Sequence, residues 1–120
     1  MKIPWLPLHV ADYLADTSHL STEQHGAYIL LLLHSWQTGP LHNDEKELAQ
    51  IARMTPDQWR ENRETLLRFW HKDCGDKWRN TRLEHERFRI IETSKRRSEA
   101  GSKGGTVSAI RRWHPKNPKK

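Results

Sequence analysis

Ala27, Tyr28, Ile29, Leu30, Leu31, Leu32 and Leu33 follow one another without a polar break, and Trp36 comes one turn later. A helix this apolar around its whole cylinder has no solvent face of its own, so it has to be the central helix, buried on several sides. The run is far shorter than the roughly 20 residues that cross a bilayer. Its limits are written beside it. Ser21 can cap the helix and Gln24 stands at the reciprocal capping-box position, while Thr38-Gly39-Pro40 supplies a glycine stop followed by a proline. Gly26 is costly inside a helix, and its expected use is close approach of another backbone.

The rest of the chain has to cover that helix. With 120 residues, 34% of them apolar, there is material for one core of modest size, and six Trp carry much of it. The N-terminal arm offers Trp5, Leu8, Val10, Tyr13 and Leu14 as anchors, and Trp5 is expected to pack back onto the domain. A short helical turn around residues 9–14 is compatible with the sequence. Asn43 or Asp44 can cap a short second helix with Leu48, Ile51 and Ala52 as its stripe, ending near Met54; Asp44 and Glu47 have capping-box spacing. Thr55-Pro56-Asp57-Gln58 is a strong start signal for a third helix, with Trp59, Leu66, Leu67 and Trp70 on its inner side. Two helices joined so tightly at residues 52–56 fit a helix-turn-helix, although any small bundle can make the same junction.

After this pair come two short aromatic runs, around Trp70 and Lys72 and around Trp78, Asn80 and Arg82, separated by Asp73-Cys74-Gly75-Asp76. They predict a β-hairpin, and Leu41 can add a third short strand. A last helix is predicted from about Leu83 to about Ser98. The fold class is therefore mainly α with a small β-hairpin, a winged helix-turn-helix-like domain over residues 1–98, followed by a flexible basic tail over residues 99–120.

Charge follows the same division. Residues 1–94 hold twelve Lys and Arg against fourteen Asp and Glu, net −2, whereas residues 95–120 hold nine against one, net +8. A cationic end on a near-neutral body attracts phosphate polyanions; a solubilising tail is the plain alternative. The candidate DNA contacts are Gln58, Arg60, Asn62 and Arg63 on the third helix and Lys72, Lys77, Arg79 and Arg82 around the hairpin. Lys95, Arg96, Arg97, Lys103, Arg111 and Arg112 toward the end complete the set. Gln, Asn and Arg can address base edges and Arg also phosphate. Asp57, Glu61 and Glu64 repel phosphate, so ordinary solvation competes with groove entry for the third helix. Trp78 is read as a core residue ahead of a base-stacking one. About six neutralised phosphates would give a log–log salt slope of roughly −5.

Other chemistries find little support. The eight His include no His-x-x-x-His pair, so no metal site is expected. The single cysteine, Cys74, excludes an intramolecular disulfide and lacks the positioned base and orienter of a nucleophile, although His71 is near in sequence. Asp12, Asp16, Glu23 and His25 read as caps and salt links. No phosphate-binding Gly-rich loop is present. A non-enzymatic, cofactor-free cytoplasmic protein is expected, with double- or single-stranded DNA, a host replication protein or a second copy of itself as partners, and no membrane.

Longer stretches carry a resemblance. They are Trp5-Leu6-Pro7-Leu8, Asp12-Tyr13-Leu14-Ala15-Asp16-Thr17, and above all His19-Leu20-Ser21-Thr22-Glu23-Gln24-His25-Gly26-Ala27-Tyr28. Trp36, Gly39-Pro40-Leu41, Ile51-Ala52-Arg53-Met54-Thr55, Trp59 and Arg82-Leu83 continue it, and Lys95-Arg96-Arg97-Ser98-Glu99-Ala100-Gly101 with Lys103-Gly104-Gly105 ends it. The chain resembles the YdaU-like family of prophage-encoded proteins, a domain of unknown function at the start of phage replication-initiation proteins. The resemblance implies a winged-helix-like domain and a role near phage DNA replication, and it brings no catalytic residue. Some relatives would continue into a second region that contacts a host helicase or its loader.

Overall fold

The computed structural model describes the backbone of residues 3–103 and the side chains of residues 3–99. Along the chain run α1 (Val10–Asp16), α2 (Thr22–Thr38), β1 (Leu41–His42), α3 (Glu45–Ile51), α4 (Pro56–Leu67), β2 (Trp70–Lys72), β3 (Lys77–Asn80) and α5 (Thr81–Lys103). The three strands form one antiparallel sheet in the order β1-β3-β2. The chain divides into two units, Met1–Glu86 and Arg87–Lys120; the sheet and the first four helices belong to the first.

Local chemistry sets the helix limits. Both halves of the Ser21–Gln24 capping box are made, at 3.1 and 2.9 Å, and Gly39 closes α2 at φ 97°, a left-handed value that favours glycine. α4 starts on the same device, with Thr55 and Gln58 reciprocally bonded and Pro56 opening the helix. α3 uses half of it. Asp44 accepts from the amides of Lys46 and Glu47, but the Glu47 carboxylate turns to His42, 3.0 Å away, instead of closing the box.

The core of the first unit gathers Leu31 and Leu32 of α2, Leu41, Leu48, Trp59 and Leu66, all essentially inaccessible. α2 packs against α3 and α4, and this leaves one side of it open. Leu33 is 47% exposed and Ile29 and Leu30 are half-buried, so the central helix is covered on fewer sides than its composition predicts. Among the described residues a Cβ on Gly26 would meet nothing within 4 Å, so none of them makes the expected close backbone approach. Trp5 is 74% exposed rather than packed back. The arm is held instead by its backbone, through the Trp36 indole N–H donating to the Ile3 carbonyl at 2.9 Å. Among the expected arm anchors only Tyr13 is buried, stacked on Tyr28.

In the sheet, Leu41 pairs with Trp78 and His42 with Lys77, while Trp70, His71 and Lys72 pair with Asn80, Arg79 and Trp78. The hairpin turn is organised by Asp73, whose Oδ1 accepts from the amides of Gly75 and Lys77. β3 ends at Asn80 and Arg82 belongs to α5, not to the strand face expected for it. The reason lies in Asn80, whose Oδ1 accepts from the Leu83 amide at 3.1 Å and so caps the new helix. The helix then runs to Lys103, past the expected end near Ser98. Residues 95–100 contain no breaker and are mostly good helix formers. The remainder of the expected tail, from residue 104, lies outside the described residues.

Candidate nucleic-acid interface

The solvent side of α4 was the first surface expected to meet DNA, and its polar groups are already engaged. Gln58 is committed to the capping box. Asn62 accepts from Gln24 Nε2 at 2.9 Å and donates to the Gln58 carbonyl at 2.8 Å, so it ties α4 to α2. Arg60 pairs with Asp57 at 2.7 Å. Arg63 grips Glu45 with two bonds, at 2.7 and 3.0 Å, and the Trp59 indole N–H donates to the same carboxylate at 2.8 Å. The Arg63 hydrogen bond, aided by that from Trp59, holds the Glu45 carboxyl below its ordinary pKa.

The hairpin repeats the pattern. Lys72 lies 3.5 Å from Asp76 and over the Trp78 ring at 5.7 Å. Arg79 bridges Asp73 and Glu84, at 2.6 and 2.8 Å, and its pKa is raised by Glu84 and then Asp73. Asp73 in turn is held low, first by the Lys77 amide and then by Arg79. Arg82 pairs with Asp16. Of this group only Lys77 has no ion-pair partner among the described residues. Trp78 is half-buried rather than core, with its N–H bonded to Asn43 at 3.0 Å.

A cation facing a carboxylate projects little net field, and a phosphate would have to share or displace the acid. Such exposed pairs are worth only ~0–1 kcal/mol, so they can exchange, but the carboxylate remains beside the incoming phosphate. α5 differs. Lys95, Arg96 and Arg97 are exposed and make no ion pair among the described residues, with Glu92 and Glu99 one helical turn to either side. Three successive cations there form the longest run of like positive charge among the described residues. The Lys103 side chain, Arg111 and Arg112 lie outside the described residues.

The remaining candidates are scattered. His71 turns to Thr81 and Glu84, not to Cys74. Asp12 pairs with His9, and His25 with the Tyr13 hydroxyl. Among the described residues no cluster of His, Cys, Asp and Glu could hold a metal, and no helix is long and apolar enough to cross a membrane. One feature escaped sequence reasoning. An open groove of about 660 Å³ lies between α3 and α4, with Ala49, Met54, Pro56 and Trp59 as its apolar lining. Met54 and Trp59 were legible as core residues; that two helices would leave a trough between them was not.

Residues 4–87 match the model of a family described as a protein of unknown function, DUF1376. Over 100 residues the chain is 42% identical to the uncharacterized protein YdaU of Escherichia coli strain K12, covering 82% of this chain and 34% of that one. The chain thus spans about a third of the length of this curated relative. A match of that width in a chain of 120 residues has to run beyond Arg87 into α5. No solved structure matches.

Proposed function

Since the chain belongs to the DUF1376 family, of unknown function, its role has to be argued from its own geometry, and we propose a non-enzymatic DNA-associated module that holds phosphate through the end of α5. The observation that carries this is the exposed run Lys95-Arg96-Arg97, which makes no ion pair among the described residues, extended in sequence by a segment that brings residues 95–120 to net +8. The order α2-β1-α3-α4-β2-β3 with strands arranged β1-β3-β2 supports reading the body as a winged helix. α4 would then orient on the duplex while α5 supplies attraction. A place in phage or prophage replication initiation, or its control, rests on the resemblance drawn from the sequence.

Fluorescence anisotropy with duplex and single-stranded oligonucleotides of mixed sequence tests the proposal. Binding that weakens steeply between about 50 and 200 mM salt and varies little with sequence is expected. Salt-insensitive binding, or none at micromolar protein, contradicts it.

A second reading, an adaptor for a host replication protein such as a helicase or its loader, is favoured by the groove between α3 and α4. Its lining is apolar, and Lys46 and Arg60 stand among its bordering residues. Purified helicase and loader are the probes. Binding that is lost in Met54→Glu, in a variant that still melts cooperatively, supports this reading; binding by neither protein removes it.

A further inference from the structure

Arg53 occupies a backbone position that glycine ordinarily holds. α3 closes on two bonds, from the Arg53 amide to the Gln50 carbonyl at 3.1 Å and from the Met54 amide to the Ala49 carbonyl at 2.9 Å. This is a Schellman closure, whose left-handed residue is usually glycine. Here it is Arg53, at φ 59°, where a side chain is strained. The Arg53 side chain is exposed and makes no ion pair among the described residues, so no salt link within the fold offsets that strain. It stands instead at the edge of a trough of about 600 Å³ between α2 and α3, with Leu30, Leu33 and Ile51 as its apolar floor and Gln37 and Gln50 on its rim. This floor is the side of α2 that α3 and α4 leave open. Gln50 also borders the groove between α3 and α4. There Lys46 is likewise exposed and likewise without an ion pair among the described residues. α3 is thus a ridge between two apolar troughs, with Lys46 in its first turn and Arg53 just past its last. The other charges of this surface are engaged. Arg63 and the Trp59 indole hold Glu45, His42 holds Glu47, and Asp57 holds Arg60.

We propose that this ridge takes an acidic amphipathic segment of a partner protein, laid across α3 at Gln50, with apolar side chains in the two troughs and carboxylates on Lys46 and Arg53. The proposal rests on the adaptor reading and names what the partner has to present. Charge selects the occupant, because the two cations that remain without an ion pair on this surface call for acids. They stand seven residues apart, roughly 10 Å at 1.5 Å rise per residue, so one short segment reaches both. The side-chain amides of Gln37 and Gln50 donate and accept, as a peptide backbone requires. Phosphate could meet the two cations, but a nucleic-acid backbone has no apolar side chain to fill the floor of Leu30, Leu33 and Ile51. Apolar anchors seated in pockets supply most of the affinity of such a contact, and the charges at its edge supply direction and selectivity.

A display library of random peptides of roughly twelve residues, selected on the immobilised full chain, supplies the probe. Enriched sequences should combine Asp or Glu with large apolar residues, and the most enriched peptide, labelled with fluorescein, is then titrated by anisotropy. Arg53→Gly should weaken its binding about fivefold or more while raising the melting temperature, because glycine relieves the left-handed strain. A purely structural role for Arg53 would move both readouts downward. Lys46→Glu and Leu33→Asp should each weaken binding about tenfold or more, in variants that still melt cooperatively. Arg68→Gln, which removes an exposed cation at the end of α4, should leave binding within about twofold. Enrichment of basic or uncharged peptides, no enrichment, or binding that survives Arg53→Gly and Lys46→Glu overturns the proposal. Loss of duplex DNA binding in those two variants with peptide binding unchanged would give the surface to nucleic acid, and loss of a wild-type dimer in sedimentation would give it to a second copy; either result also overturns it. Purified helicase and loader separate the two claims. If neither binds while the acidic peptide does, the adaptor reading falls and this surface stands; if either binds equally well to all these variants, the reading stands and this assignment falls.

Discussion

Asn80 does the work of a joint with one side-chain amide. Its Nδ2 donates to the Tyr28 hydroxyl at 3.4 Å and to the Phe69 carbonyl at 3.2 Å, while its Oδ1 caps α5. It is 3% exposed, so water cannot replace these bonds. Asn80→Ala is expected to cost about 2–4 kcal/mol, combining buried groups left unpaired with a lost cap, as read by urea unfolding. Asn80→Asp keeps the cap but loses the donor, and should fall between the two. Gly26 works in the opposite sense. It pays the helix penalty of glycine with open space around it, so Gly26→Ala should raise stability by about 0.5–1 kcal/mol. A loss of stability on that change would reveal a backbone approach that the structure does not contain.

At the scale of elements, Glu45 clamps α3 to α4 through Arg63 and Trp59. Because its folded-state pKa lies below the ordinary 4.5, the folded chain binds fewer protons there than the unfolded one. The stability it lends is complete above that pH and fades as pH falls through the lower folded value. The pair is partly exposed, so Glu45→Gln should cost about 1 kcal/mol or less at neutral pH. The difference from wild type should shrink as thermal melts are taken from neutral pH down through the acid range below 4.5. The same elements explain what was legible beforehand. Both limits of α2 and the start of α4 were readable because capping boxes, Pro56 and Gly39 act locally, whereas Trp70, expected on the inner side of the third helix, opens β2 because α4 ends at Leu67. The hairpin and the third strand at Leu41 were readable from turn residues and alternation. What failed was tertiary: how many sides of α2 are covered, whether Trp5 packs, and where β3 yields to α5. These depend on neighbours such as Asn80 and Trp36 that no local pattern announces. The candidate site was half legible. Its cations could be named, but the carboxylates that meet Arg63, Arg79 and Arg82 come from 18, 6 and 66 residues away.

Over the whole molecule, then, positive charge is sorted rather than scarce. Among the described residues of the body, part of it is matched by carboxylates, as with Arg60 and Asp57, Arg63 and Glu45, Lys72 and Asp76, and Arg79 with Asp73 and Glu84, while Lys46, Arg53, Arg68 and Lys77 make no ion pair. Toward the end of α5 it is left open. Counterion release gives this a direct reading, because each phosphate neutralised adds roughly 0.9 to the magnitude of the log–log salt slope on duplex DNA. The decisive measurement compares that slope for three chains: wild type, Arg96→Gln with Arg97→Gln, and Arg60→Gln with Lys72→Gln. All the substituted side chains are exposed. The account predicts that the α5 pair lowers the magnitude of the slope by about two and that the body pair leaves it within about half a unit. A slope that falls with the body pair and holds with the α5 pair would contradict it, and would move the phosphate contact to α4 and the hairpin.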